Sequence, residues 1–282
     1  MQKVRILSYD IFRGILLIGM VVFHIIVNLT SLNFNQELFY WVPLGFVLLL
    51  GVILAKFMEN KSLGKIKLAI KLLAIFLIGN IPNFLHKDIN LNDFIIGNSE
   101  IFSFEILIPM ILVILITLFF TNFRKNKLFL SILFFLLIFI NYPGVHSYNL
   151  LFTIYGLIGY FIGSAFNLNP HPGKKRLLIP VFVFSVIPFL IIQYFQLFDF
   201  LILIQVLSMY FLFNFLFENN QILAILGQYS LFLYVTHIVL LKSLSAYYQI
   251  NYFVEFIGFS LFFITILYLM ALVLKKRTLK LL

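Results

Sequence analysis

From Phe256 to Leu274 the chain runs nineteen residues without a charged side chain, and from Gly14 to Val27 only His24 interrupts the apolar pattern. Runs of that length restrict the fold more than any other feature. A hydrocarbon core of about 30 Å takes roughly 18 to 20 apolar residues of α-helix to cross, and a helix satisfies its own backbone hydrogen bonds where water is absent. Composition agrees, with 63% hydrophobic residues, a mean hydropathy of +1.09 and 11% charged residues, against about 25% charged in soluble domains. The sequence has no short strands of alternating polarity of the kind a transmembrane barrel needs. The expected fold class is all-α: a polytopic helical bundle, multi-pass in the cell membrane, forming one domain over residues 1–282.

Hydrophobic runs punctuated by turn and charge clusters predict about ten transmembrane helices. They cover residues 9–29, 38–58, 68–85, 101–121, 128–141, 150–166, 177–197, 199–217, 222–241 and 253–274. Lys3 and Arg5 precede the first run as they would in a signal peptide, yet Asp10, Arg13 and His24 interrupt it, so it reads as a retained helix. An even number of helices puts both termini on one side. On that side fall all basic residues except Arg13, Lys71, Lys87 and Lys242, sixteen of the twenty, with Lys61, Lys65 and Lys67 expected in one loop. The positive-inside rule makes that face cytoplasmic. Topology thus accounts for the net charge of +10 without a nucleic-acid partner. The absence of cysteine removes disulfides, thiolate metal sites and a thiol nucleophile, leaving oxygen and nitrogen groups for any chemistry.

The segment "RGILLIGMVVFH" holds an arginine and a histidine at residues 13 and 24. At 100° per residue the two differ by about 20° around the helix, and their offset along its axis is roughly 16 Å. Asp10 lies about 40° to the other side of His24. All three occupy one stripe at different depths. Asp10 and Arg13, three apart, can pair across a turn behind Ser8 as N-cap, which would be an ordinary helix start. A histidine hydrogen-bonded between helices is the corresponding plain role for His24. Otherwise an intramembrane ionisable group is a functional candidate.

In "LGQYSLFLYVTHIVLL", residues 226–241, His237 lies about fifteen residues into its helix, as His24 does in the first, so the two imidazoles are expected at one depth in the outer half of the membrane. Tyr234 precedes His237 by three, and Ser230 and Tyr229 extend a polar stripe down that helix. Glu105 is expected in the first turn of the fourth helix, and Asn80 as a helix-to-helix hydrogen bond at a similar level. No HExxH spacing, local histidine cluster, phosphate-cradling glycine loop or GxSxG elbow occurs, so no metal is expected. The glycines at 14, 19, 51, 156, 159 and 163 suit close helix packing.

"RILSYDIFRGILLIGMVVFH" resembles the first-helix signature of the heparan-alpha-glucosaminide N-acetyltransferase-like bacterial and archaeal membrane proteins. That signature is approximately R-x-x-S-x-D-x-x-R-G, an apolar run, Met and His. The spacing of arginine and histidine is similar to that of acyltransferase family 3, within the wider transmembrane acyltransferase superfamily. Further matches are "GFVLLLGVILA", "YGLIGYFIGSAF" and "LGQYSLFLYVTHIVLL", with Asn28 standing where an acidic residue is expected. The resemblance implies transfer of an acyl group, usually acetyl, from cytosolic acyl-CoA as donor substrate to a sugar, glycan or glycolipid on the outer side. His24 would be catalytic, acting as base or as an acyl-carrying nucleophile, with His237 in support. Arg13 and Asp10 would form the cytosolic CoA-binding mouth, and Tyr234, Ser230, Glu105 and Asn80 would assist the acceptor. The rival expectation is a transporter or flippase for a polar or lipid-linked solute, its histidines carrying protons. The sequence leaves the oligomeric state open, a dimer included.

Overall fold

The computed structural model describes residues 7–32, 34, 39, 41–58, 61–86, 104–120, 148–165 and 198–276. Among the described residues are α1 (Leu7–Leu29), α2 (Trp41–Phe57), α3 (Ser62–His86), α4 (Leu107–Phe120), α5 (Tyr148–Ala165), α6 (Phe198–Leu216), α7 (Gln221–Gln228), α8 (Ser230–Ser245) and α9 (Phe253–Lys276). The only β-type pairing found there is an isolated bridge between Thr30 and Ile250. The expected helices at 128–141 and 177–197 lie outside the described residues.

The described residues α1 and α9 are each long and apolar enough to cross a membrane, and α7 with α8 passes the same test as one bent span. The chain is a helical membrane protein. The exposed Leu261, Phe262, Leu269 and Val273 give α9 an apolar outer face suited to lipid. By contrast, α1 buries residues around most of its circumference, from Tyr9 and Asp10 to Ile25 and Ile26. A helix buried around most of its circumference belongs at the centre of its bundle.

The helices fall into two compact units, Met1–Pro43 with Asn169–Leu282, and Leu44–Leu168. In the first, α6 ends where Asn219 adopts a left-handed φ of 66°, a conformation that asparagine tolerates better than most residues. Asn220 then caps α7, its side-chain oxygen accepting from Leu223 N at 3.0 Å. Ile11 and Ile15 of α1 pack against Leu223 and Ala224 of α7, with Trp41 and Phe213 beside them. A Cβ on Gly14 would strike the carbonyl of Leu223, and one on Gly227 the carbonyl of Asp10. The two backbones therefore touch, as small residues permit between membrane helices.

The expected helix at 222–241 is broken. Tyr229, at φ −106° and ψ 14°, leaves the helical region, and α7 and α8 meet at a bend of 78°. Contact of Gly227 with the start of α1 sets the direction of α7, and a hydropathy pattern does not register such a contact.

In the second unit, Gly51 meets the backbone at Gly156, Gly159 meets the carbonyl of Leu48, and Gly163 meets Val52, which draws α2 and α5 together. Two boundaries differ from expectation. Helix α3 begins at Ser62, so Lys65 and Lys67 are helical, because lysine is a good helix former and Lys65 has a buried partner. Its Nζ donates to the carbonyl of Thr117 at 3.1 Å and lies 5.6 Å from the centre of the Tyr160 ring. Helix α4 begins only at Leu107, because Phe104 has a φ of 63°.

Candidate active site

Six of the eight candidate residues lie in the first unit, on α1 and α8. Arg13 Nη2 donates to Ser230 Oγ at 2.8 Å, and Arg13 Nη1 lies 3.8 Å from Asp10 Oδ1. Eleven residues further along α1, His24 Nδ1 meets His237 Nε2 at 3.1 Å. Both stations of the α1 stripe thus find partners on the same neighbouring helix. Residue 13 pairs with 230 and residue 24 with 237, so α1 and α8 run in the same sense.

Ser230 is the first residue of α8 and sits at the arginine station. Tyr234 stands edge-on to His237, with ring centres 5.5 Å apart. The imidazoles of His24 and His237 stack at 5.1 Å. His237 is fully buried, whereas His24 is partly exposed. Ser8 lies inside α1, which starts at Leu7, and accepts from the hydroxyl of Tyr210 at 3.2 Å. It is therefore one residue inside the helix and is not its N-cap.

Proton positions follow from what each atom can accept. His237 Nδ1 lies 3.1 Å from the carbonyl oxygen of Leu233. A carbonyl only accepts, so Nδ1 carries the proton, and in a neutral ring Nε2 then holds a lone pair. That lone pair accepts from His24 Nδ1–H. A neutral His24 is left with its free lone pair on Nε2. The Leu233 carbonyl, through His237, thereby selects the tautomer of His24, and Nε2 is the atom available to take a proton or to attack.

The family model described as heparan-alpha-glucosaminide N-acetyltransferase, catalytic, matches residues 5–239. The chain belongs to that family. The match takes in Asp10, Arg13 and His24 at one end and closes two residues after His237 at the other. Membership makes this a membrane protein of an acetyltransferase family. Neither a curated protein nor a solved structure matches the chain.

The other two candidates belong to the second unit. Asn80 is fully buried on α3, and its amide donates to the carbonyl of Phe76 at 2.9 Å, one turn back in its own helix. Glu105 is buried in the turn before α4, where its carbonyl accepts from Ile108 N at 2.9 Å. It precedes the helix because α4 starts two residues later than a first-turn position requires. Gly79 packs directly on the ring of Phe104, which brings the segments carrying Asn80 and Glu105 together.

Among the described residues, no group of three or more His, Asp or Glu side chains is arranged to hold a metal ion. Sequence reasoning missed Tyr210, Gly227 and the Leu233 carbonyl. Only the last had a signal, since Leu233 precedes His237 by four, the spacing at which a helical side chain reaches a carbonyl one turn back.

Proposed function

We propose that the chain is a multi-pass acetyltransferase of the cell membrane, a single membrane domain of about ten spans with cytoplasmic termini. In this reading it moves an acetyl or other acyl group from cytosolic acyl-CoA to a hydroxyl or amine of a sugar, glycan or glycolipid on the outer side. The observation that carries the proposal is the hydrogen bond from His24 Nδ1 to His237 Nε2, which leaves His24 Nε2 as an oriented base.

In direct transfer, the acceptor nitrogen or oxygen attacks the thioester carbonyl while His24 Nε2 takes its proton. The new C–N or C–O bond forms as the C–S bond breaks, and the proton passes from His24 to the departing thiolate. In a two-step route the same lone pair attacks the thioester first, the C–S bond breaks to expel the CoA thiolate, and the acceptor then displaces the imidazole from the acetyl carbonyl as its proton passes to the thiolate. His237 acts by holding His24. Arg13, with Asp10 and Ser230 around it, supplies a positive charge for CoA phosphate at the cytosolic mouth, and the pantetheine arm would span the roughly 16 Å of helical rise to His24.

One observation favours the rival. The bend between α7 and α8 is the kind of broken span from which transporters build their sites, although it is the one bent pair found among the described residues. The deciding experiment supplies radiolabelled acetyl-CoA and glucosamine to the purified protein in nanodiscs, and measures solute uptake by the same protein in vesicles. Label in the sugar is expected. Uptake without acetyl transfer would support the transporter or flippase instead.

A further inference from the structure

We infer that the segment joining α8 to α9 is a sugar-stacking platform for the acceptor, an inference that rests on the acetyltransferase reading above. The segment is anchored to α1 beyond His24. Ile250 N donates to the Leu29 carbonyl at 2.7 Å, and Ser31 N donates to the Ile250 carbonyl at 3.2 Å. Ser31 Oγ bonds Asn251 Oδ1 at 3.1 Å, and Ile250 is fully buried. Leu29 lies five residues past His24, about 7.5 Å along the helix axis, so the tether holds the segment to α1 about one and a half turns beyond that histidine.

Its backbone is held while its rings are displayed. Tyr247 N and Tyr248 N both donate to the Leu244 carbonyl, and Asn251 N donates to Glu255 Oε2 at 3.3 Å. Tyr248 stacks on Phe259 at 5.7 Å. Even so, Tyr247 is 90% exposed and Tyr252 69%, and the amides of Gln249 and Asn251 are exposed between them. A pyranose offers a C–H face of positive edge to the electron-rich face of a tyrosine, and hydroxyls to neighbouring amides. An interfacial aromatic belt also uses exposed tyrosines, but a belt requires no fixed tether to the helix that carries His24.

The test measures binding of a β-1,4-linked glucosamine tetrasaccharide to the full chain in nanodiscs by titration calorimetry without acetyl-CoA, with acetyl transfer to the same sugar assayed in parallel. Loss of one stacked ring should weaken binding about tenfold in Tyr247→Ala, while Tyr247→Phe should stay within about twofold of wild type. The exposure of Tyr247 makes both variants compatible with folding. Unchanged affinity in Tyr247→Ala overturns the platform even if transfer proceeds, and so does a wild type that binds no tetrasaccharide at millimolar concentration. Ring-dependent binding without transfer supports the platform while removing the acetyltransferase reading.

Discussion

His237 holds His24 through a single hydrogen bond of 3.1 Å, and is itself held by the carbonyl of Leu233 one turn back in α8. A buried imidazole with both nitrogens engaged can orient its neighbour without meeting a substrate, as outer-shell partners of reactive histidines do.

His237 is therefore a positioning residue. His237→Phe removes the acceptor for His24 Nδ1–H, and acetyl transfer should fall about 100-fold, at the low end of what general-base catalysis contributes. His237→Gln keeps an acceptor oxygen and should lose only about tenfold. The ¹⁵N shifts of His24 should report a proton on Nδ1 in the wild type and a mixture of tautomers in His237→Phe. An unchanged tautomer would contradict the role.

Arg13 bonds Ser230 and faces Asp10. If its charge receives CoA phosphate, Arg13→Gln should raise KM for acetyl-CoA about tenfold, because charge-assisted bonds are roughly twice as strong as neutral ones. KM for the acceptor should not change. Steady-state kinetics with each substrate varied separately decides it. An equal rise in both would assign Arg13 to packing alone.

A methyl group on Gly227 would collide with the Asp10 carbonyl, whereas one on Gly258 meets open space. Gly227→Ala should therefore destabilise the chain by about 1 to 3 kcal/mol through overpacking. Gly258→Ala, in the interior of α9, should be neutral or stabilise by up to about 1 kcal/mol. Unfolding in detergent reports both changes, and equal effects would remove the account of the α1–α7 contact.

Lys65 is fully buried, with its ammonium on the Thr117 carbonyl and near the Tyr160 ring. Lys65→Met keeps most of the stem and loses the charge-assisted bond, so it should cost about 1.5 to 3 kcal/mol. The same unfolding measurement checks this, and a stable Lys65→Met variant would mean that the bond contributes little.

Hydropathy made the ends of α1 and α9 legible to within two residues, since charged or polar residues flank these apolar runs. The shared stripe of Arg13 and His24 was legible from helical spacing alone. The break at Tyr229 was not, because Gln228, Tyr229 and Ser230 read as a polar stripe on a continuous helix and the cause lies in the distant backbone of Asp10. An equal depth for His24 and His237 was expected from equal counts along two straight helices, yet His237 is seven residues past the start of α8. It meets His24 because α8 packs along α1 from the bend onward. Lys65 looked like a loop residue because sequence weighs its charge and does not register the carbonyl that its stem reaches.

Acetyl transfer from acetyl-CoA to glucosamine by the purified wild type and by His24→Ala, side by side in nanodiscs, tests the central claim most directly. Wild-type turnover should fall in His24→Ala by at least about 100-fold, with the thermal unfolding profile unchanged. Full turnover by a folded His24→Ala protein would contradict the assignment of His24 as the group that carries the chemistry.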